Sequence, residues 1–181
     1  MGEGRTGMRF VSIALAFLAS LILQTTILPL LRLGGVIPDL LLVLVIFTAL
    51  YYGSLAGGAV GLAAGLAQDL LGGHYLGLGA LSGFVAGFLM GRLERRVNMD
   101  NILVTFSLVL AGSFIAGAVY SLGQGILSSS LSMRLLWRLS ATGALYNACL
   151  AALLYRPLAR LYVGHVPGRV EIVQPGKIIY R

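Results

Sequence analysis

The sequence predicts an all-α, polytopic integral membrane protein of about six transmembrane helices, on three observations. Long apolar runs recur along the chain, parted by short segments containing Gly, Pro or Arg. Of the 181 residues 58% are hydrophobic and only 10% charged, too few to give a soluble domain of this size a hydrated surface. Mean hydropathy is +0.92. The 25 glycines suit close packing of helices in lipid, where small residues let backbones approach.

The first span is read at about 10–28, ending at Pro29, with Arg5 and Arg9 before it. It is longer than the apolar region of a secretory leader, and no small-x-small cleavage pattern follows it, so it reads as retained. The second span covers about 38–52. It opens on Pro38-Asp39, because proline at a helix start gives up no needed N–H and an acid there favours the helix dipole. Tyr51-Tyr52-Gly53-Ser54 reads as a tight turn at a lipid interface. The third and fourth spans are read at about 55–71 and 75–91, the fourth stopped by Arg92-Leu93-Glu94-Arg95-Arg96. The fifth covers about 102–122, followed by a Gly/Ser-rich loop from Gly123 to Ser132. The sixth covers about 135–154, closed by Arg156-Pro157, with Arg156, Leu158, Arg160, Leu161 and Tyr162 continuing it along the interface, kinked at Pro157.

These spans make residues 1–162 one membrane domain and leave 163–181 as a short cytoplasmic tail. Within the tail, Arg169 to Val173 alternates polar and apolar residues, and Pro175-Gly176 could turn it back as a hairpin, marginal on its own.

The net charge is +7 and the isoelectric point about 10.1. In a soluble protein this would suggest nucleic acid; here the basic residues flank apolar spans, so orientation and anionic lipid account for them. With the N-terminus inside, the cytoplasmic side holds Arg5, Arg9, Arg92, Arg95, Arg96, Arg156, Arg160, Arg169, Lys177 and Arg181, and the outer side Arg32, Arg134 and Arg138. Five spans would place the Arg92–Arg96 cluster outside, against that rule, so six are kept with both termini cytoplasmic. Arg92, Arg95, Arg96, Arg156 and Arg160 form the inner basic anchor.

Two glycine ladders are the strongest pattern. Gly57, Gly61 and Gly65 in the third span, and Gly79, Gly83, Gly87 and Gly91 in the fourth, repeat every four residues and so share a helix face. Such a face packs against a neighbouring span or receives a partner helix. Asp39, Gln68 and Asp69 fall near the outer interface and are the polar candidates there, as hydrogen-bonded structural groups or as a shared site, with His74 nearby. Gln24, Tyr146 and Asn147 read as isolated interhelical hydrogen-bonding groups. Cys149, the one cysteine, precludes an intrachain disulfide and reads as a packed small hydrophobe.

Catalytic signatures are poor. Ser82-Gly83 lacks the preceding glycine and the facing histidine of an intramembrane serine protease. No His, Cys or carboxylate cluster has metal-ligand spacing, and no phosphate-binding loop occurs. No enzymatic activity, cofactor or metal is expected.

The run Pro38-Asp39-Leu40-Leu41-Leu42-Val43, then Gly65-Leu66-Ala67-Gln68-Asp69-Leu70-Leu71, then Leu76-Gly77-Leu78-Gly79-Ala80-Leu81 and Gly87-Phe88-Leu89-Met90-Gly91-Arg92-Leu93, resembles the bacterial rod-shape-determining MreD family. The resemblance spans about Met8 to Leu161, with its motif-like core from Pro38 to Arg96. It implies a multi-pass protein of the bacterial cytoplasmic membrane that works as a non-enzymatic scaffold of the elongation complex. Its implied partners are MreC, docked through its transmembrane helix, and MreB, RodA and the penicillin-binding partner of RodA, along with membrane lipids. The resemblance also implies a fold similar to the substrate-binding S component of energy-coupling-factor transporters. That fold makes a vitamin-binding S component the alternative function, with Asp39, Gln68, Asp69 and His74 as its polar pocket residues and Ala16 and Ser20 on its docking face.

Overall fold

The computed structural model describes residues 3–32, 36–72, 75–93, 101–128 and 133–162. Arg95, Arg96, His74 and the 163–181 tail with its hairpin lie outside the described residues. The regular structure is helical: α1 (Glu3–Thr26), a 3-10 turn (Leu28–Leu31), α2 (Leu40–Gly72), α3 (Leu78–Gly91), α4 (Ile102–Ser128), α5 (Met133–Leu153) and α6 (Tyr155–Tyr162).

α2 is two antiparallel arms, residues 40–52 and 54–72, joined where Gly53 leaves helical geometry at φ 87° and ψ −179°. That positive φ is accessible to glycine and strained for an L side chain. The reversal brings Gln68 within 2.9 Å of Asp39. In one straight helix these residues would stand about 44 Å apart.

The first arm is the centre of the molecule. Leu41, Val43, Leu44, Val45, Ile46, Phe47, Ala49 and Leu50 are almost fully buried, so protein surrounds this arm on every side. This explains its unbroken aliphatic sequence, which shows no amphipathic period.

The second arm packs against α3 through the two glycine ladders. A Cβ on Gly57 would meet the Gly87 carbonyl, one on Gly61 the Gly83 carbonyl, and one on Gly65 the Gly79 carbonyl. Gly91 closes the series against the backbone of Gly53 and Ser54. The ladders thus run antiparallel, backbone against backbone, gaining dispersion contact and Cα–H to carbonyl approach that any side chain would prevent.

Helix ends depart from the sequence reading where local chemistry or packing intervenes. α1 stops at Thr26 because Pro29 has no N–H to extend it, and the chain tightens into the 3-10 turn. α3 starts at Leu78 rather than near Tyr75, since Gly77 before it adopts φ 95°. α4 continues to Ser128, through the first part of the segment read as a Gly/Ser loop. Gly123 lies directly beneath the Leu78 side chain, so packing against the start of α3 keeps this weak helix-forming stretch wound. The break after α5 falls at Leu154, three residues before Pro157, whose ring would collide with the preceding turn. Proline then sits in the first turn of α6, where its missing N–H costs nothing. Cys149 is exposed on the outward side of α5, not packed inside as its apolar surroundings suggest.

The distribution of polarity is inverted relative to a soluble bundle. Large apolar residues are exposed on every long helix, among them Leu15, Leu62, Leu81, Leu103 and Leu145, while Ser20, Thr48, Asp69, Ser82, Ser113, Ser121, Ser140 and Asn147 are buried. Such an apolar exterior suits lipid. α4, at 27 residues or about 40 Å, is long and apolar enough to cross a membrane. α2 is apolar and long enough by the same measure, but is folded in half.

Candidate functional site

Two ends of the bundle carry distinct chemistry. At the Gly53 end, Tyr162 of α6 inserts into a ring cluster, with centroids 5.3 Å from Tyr51, 6.0 Å from Tyr52 and 6.1 Å from Phe47. Its hydroxyl lies 2.9 Å from the Thr48 hydroxyl, which donates to the Leu44 carbonyl at 2.8 Å. Burial pushes this phenol up to about 12, so it stays protonated. Leu158 and Tyr162 face the core while Arg156 and Arg160 are exposed, which fixes α6 as an amphipathic helix across this end. Arg92, also exposed here, places its guanidinium 4.6 Å from the centre of the Phe88 ring, itself stacked on Phe84.

The opposite end is polar inside. Asp69, at the last turn of the second arm, caps α3 from across the interface. Its carboxylate accepts from the backbone N–H of Gly77 at 2.8 Å, Gly79 at 3.0 Å and Ala80 at 3.3 Å. Gly77 has no side chain with which to cap its own helix, so the neighbouring element supplies the acceptor. Gly79 must lack a side chain for this too, because a Cβ there would fall on the Asp69 carboxylate.

Asp39 holds the start of α2. One carboxylate oxygen, Oδ1, accepts from the Leu42 N–H at 2.9 Å, Gln24 Nε2 at 3.1 Å and Gln68 Nε2 at 2.9 Å. Gln24 also reaches across from α1, its carbonyl accepting from the N–H of Leu40 at 3.0 Å and of Leu41 at 3.3 Å. On the other side the Asp39 N–H donates to Asn147 Oδ1 at 2.7 Å, and Asn147 Nδ2 donates to the Ser113 hydroxyl at 3.2 Å. Gln24 and Asn147 are therefore members of one network that ties α1, both arms of α2, α4 and α5 together. Tyr146 lies apart, donating to the Leu31 carbonyl at 2.9 Å.

This network borders a cavity of about 440 Å³ between α2, α3, α4 and α5. Asp39, Gln68 and Asp69 line it, together with Gly61, Gly65, Gly79 and Gly83; Gly57, Gly87 and Gly91 lie beyond it, toward the Gly53 end. Asp39 and Asp69 thus share one cavity without touching through their carboxylates: Gln68 is the link to Asp39. The fifth and sixth spans contribute polar walls that a hydropathy reading does not single out. Ser113, Gly117, Tyr120, Ser121 and Gln124 of α4 all line the cavity, as do Ser140, Gly143 and Asn147 of α5. The signal was present in the spacing, because each set recurs at three or four residues and so occupies one helix face. Scattered serines and glycines carry little weight in a hydropathy profile, which hides such a face.

Among the described residues no group of three His, Cys, Asp or Glu could hold a metal ion. No curated protein and no solved structure matches the chain. The inverted polarity, the glycine-paired hairpin and the capped helix ends between Pro38 and Arg92 all fall within the region that matches a known family. The family model described as rod shape-determining protein MreD matches residues 4–163, and the chain belongs to that membrane-associated family.

Proposed function

We propose that this protein is a non-enzymatic membrane scaffold of the bacterial elongation (rod shape) complex. In this reading it is a multi-pass protein of the cytoplasmic membrane with both termini inside. It docks the transmembrane helix and membrane-proximal segment of MreC, and couples the MreB cytoskeleton to peptidoglycan synthesis by RodA and its penicillin-binding partner. The observation that carries the reading is membership of the rod shape-determining family over residues 4–163.

The geometry supports particular surfaces for this work. The glycine ladders are occupied by one another, so a partner helix seated on them would have to part α2 from α3. One exposed apolar face is on α1, where Val11, Leu15, Leu18 and Ile22 are each more than half exposed. Their spacing of four, three and four is that of a seam matched to a single partner helix. Arg92, Arg156 and Arg160 are exposed at the Gly53 end, away from Asp39 and Asp69, which supports a cytoplasmic placement of that end.

The test is cysteine crosslinking in membranes containing MreC, with exposed Cys149 replaced by alanine. Cysteines at Leu15, Leu18 and Ile22 should capture the MreC transmembrane helix, and cysteines at Leu62 and Leu66 should not. Failure of MreC to co-purify with the wild-type chain would sink the scaffold reading. The polar cavity favours the alternative, a substrate-binding S component, and co-purification with an ATPase module in place of MreC would establish it.

A further inference from the structure

The cavity at the Asp39 end is more polar than helix packing requires. Asp39, Gln68, Ser113, Tyr120, Ser121 and Asn147 line it within a bundle whose exterior is apolar. Left dry, such walls would carry the cost of unhydrated polar groups. Its volume of about 440 Å³ lies in the size range of small-molecule sites.

The free hydrogen-bonding capacity defines what belongs there. Asp39 Oδ1 takes three donors, whereas no side chain among the described residues donates to Oδ2. The Gln68 carbonyl oxygen and the Tyr120 hydroxyl have no partner among them. Asp69 differs, both its oxygens being taken by the α3 backbone. The described lining residues include the acids Asp39 and Asp69 and no Lys, Arg or His. One turn or two along the same arms from Asp39 and Gln68, Leu42, Val45 and Ala64 add apolar lining.

We propose that this cavity binds a small organic cation, a protonated amine carried on an apolar body. The ammonium donates to Asp39 Oδ2 and the Gln68 carbonyl, a charge-assisted contact that is strengthened where water is excluded. The apolar body lies along Leu42, Val45 and Ala64, and the Tyr120 hydroxyl is available to a further polar group. The inference holds whichever partner the scaffold engages, since it concerns the interior and not the α1 face.

Tryptamine is a suitable probe, with an ammonium and an indole N–H on an apolar ring, and indole-3-propionate is its anionic counterpart. The full chain in zwitterionic lipid nanodiscs is titrated calorimetrically with each. The expected result is saturable tryptamine binding and none by the acid. Asp39→Asn should weaken tryptamine binding at least tenfold, since the amide removes the charge. Tyr120→Phe removes a hydroxyl that has no protein partner among the described residues; it should leave melting unchanged and weaken binding about threefold, which keeps the test open if Asp39→Asn fails to fold. No saturable binding, equal binding of the acid, or an unchanged affinity in a folded Asp39→Asn protein would each overturn the proposal.

Discussion

Replacing Gly61 by alanine adds one methyl group in the middle of the α2–α3 backbone contact. An ideal Cβ there would stand 2.5 Å from the Gly83 carbonyl carbon and closer still to its oxygen, where ordinary contact begins at 3.4 Å. The obstacle is backbone, not the end of a flexible side chain, so the helices must separate by about 1 Å locally. Overpacking of a well-fitted contact costs about 1–3 kcal/mol, against a gain of about 0.5–1 kcal/mol from replacing a mid-helix glycine with alanine. The net expectation is a loss of about 1–2 kcal/mol for Gly61→Ala, and more for Gly61→Leu. Gly143 supplies the control. Among the described residues a Cβ there would meet only Val36 Cγ1, at an unstrained 3.5 Å, so Gly143→Ala should be neutral or stabilising by about 0.5–1 kcal/mol. Gly58 is intermediate, since its Cβ would press on the Phe84 ring at 3.1 Å, a side chain free to shift. Thermal unfolding in a mild detergent, followed by circular dichroism, ranks the three. A Gly61→Ala protein as stable as Gly143→Ala would refute the backbone-contact account of the ladders.

Two further substitutions test the ends of the bundle. Asp69→Ala removes the acceptor for three backbone N–H groups at the start of α3 and should cost about 1–2 kcal/mol, whereas Asp69→Asn keeps one oxygen and should cost less; hydrogen exchange at Gly77, Gly79 and Ala80 should rise in the alanine variant, and unchanged protection there would count against the capping role. Tyr162→Phe keeps the stacking on Tyr51 but loses the hydroxyl contact to Thr48, so melting should fall by the equivalent of about 1 kcal/mol while α6 stays docked, and release of α6 to protease would show that the hydroxyl, not the ring, holds it.

Much of the architecture is legible in the chain because it follows from local composition. Apolar runs too long and too uncharged for a soluble surface demand helices that lie within a bilayer, facing lipid or one another. Gly53, among two tyrosines and a serine, marks a reversal because glycine alone takes its positive φ without strain. A four-residue glycine period fixes a side-chain-free face on each helix before any partner is known.

What only the tertiary structure decided is what each face meets. The ladders could have met a second protein; they meet each other, the second arm of α2 lying antiparallel to α3. Asp39 and Asp69 look alike in the sequence, each an acid at a helix end, yet Asp69 caps the α3 backbone while Asp39 joins side chains from α1 and both arms of α2 beside the cavity. Whether α4 would outlast its glycines depended on Leu78, a residue from another helix. The polar cavity is the sharpest case, since its walls come from four helices and its polar groups are scattered one or two to a turn among them. The helix period fixes which residues share a face, but the separation and rotation of neighbouring helices depend on side-chain volumes distributed over the whole chain.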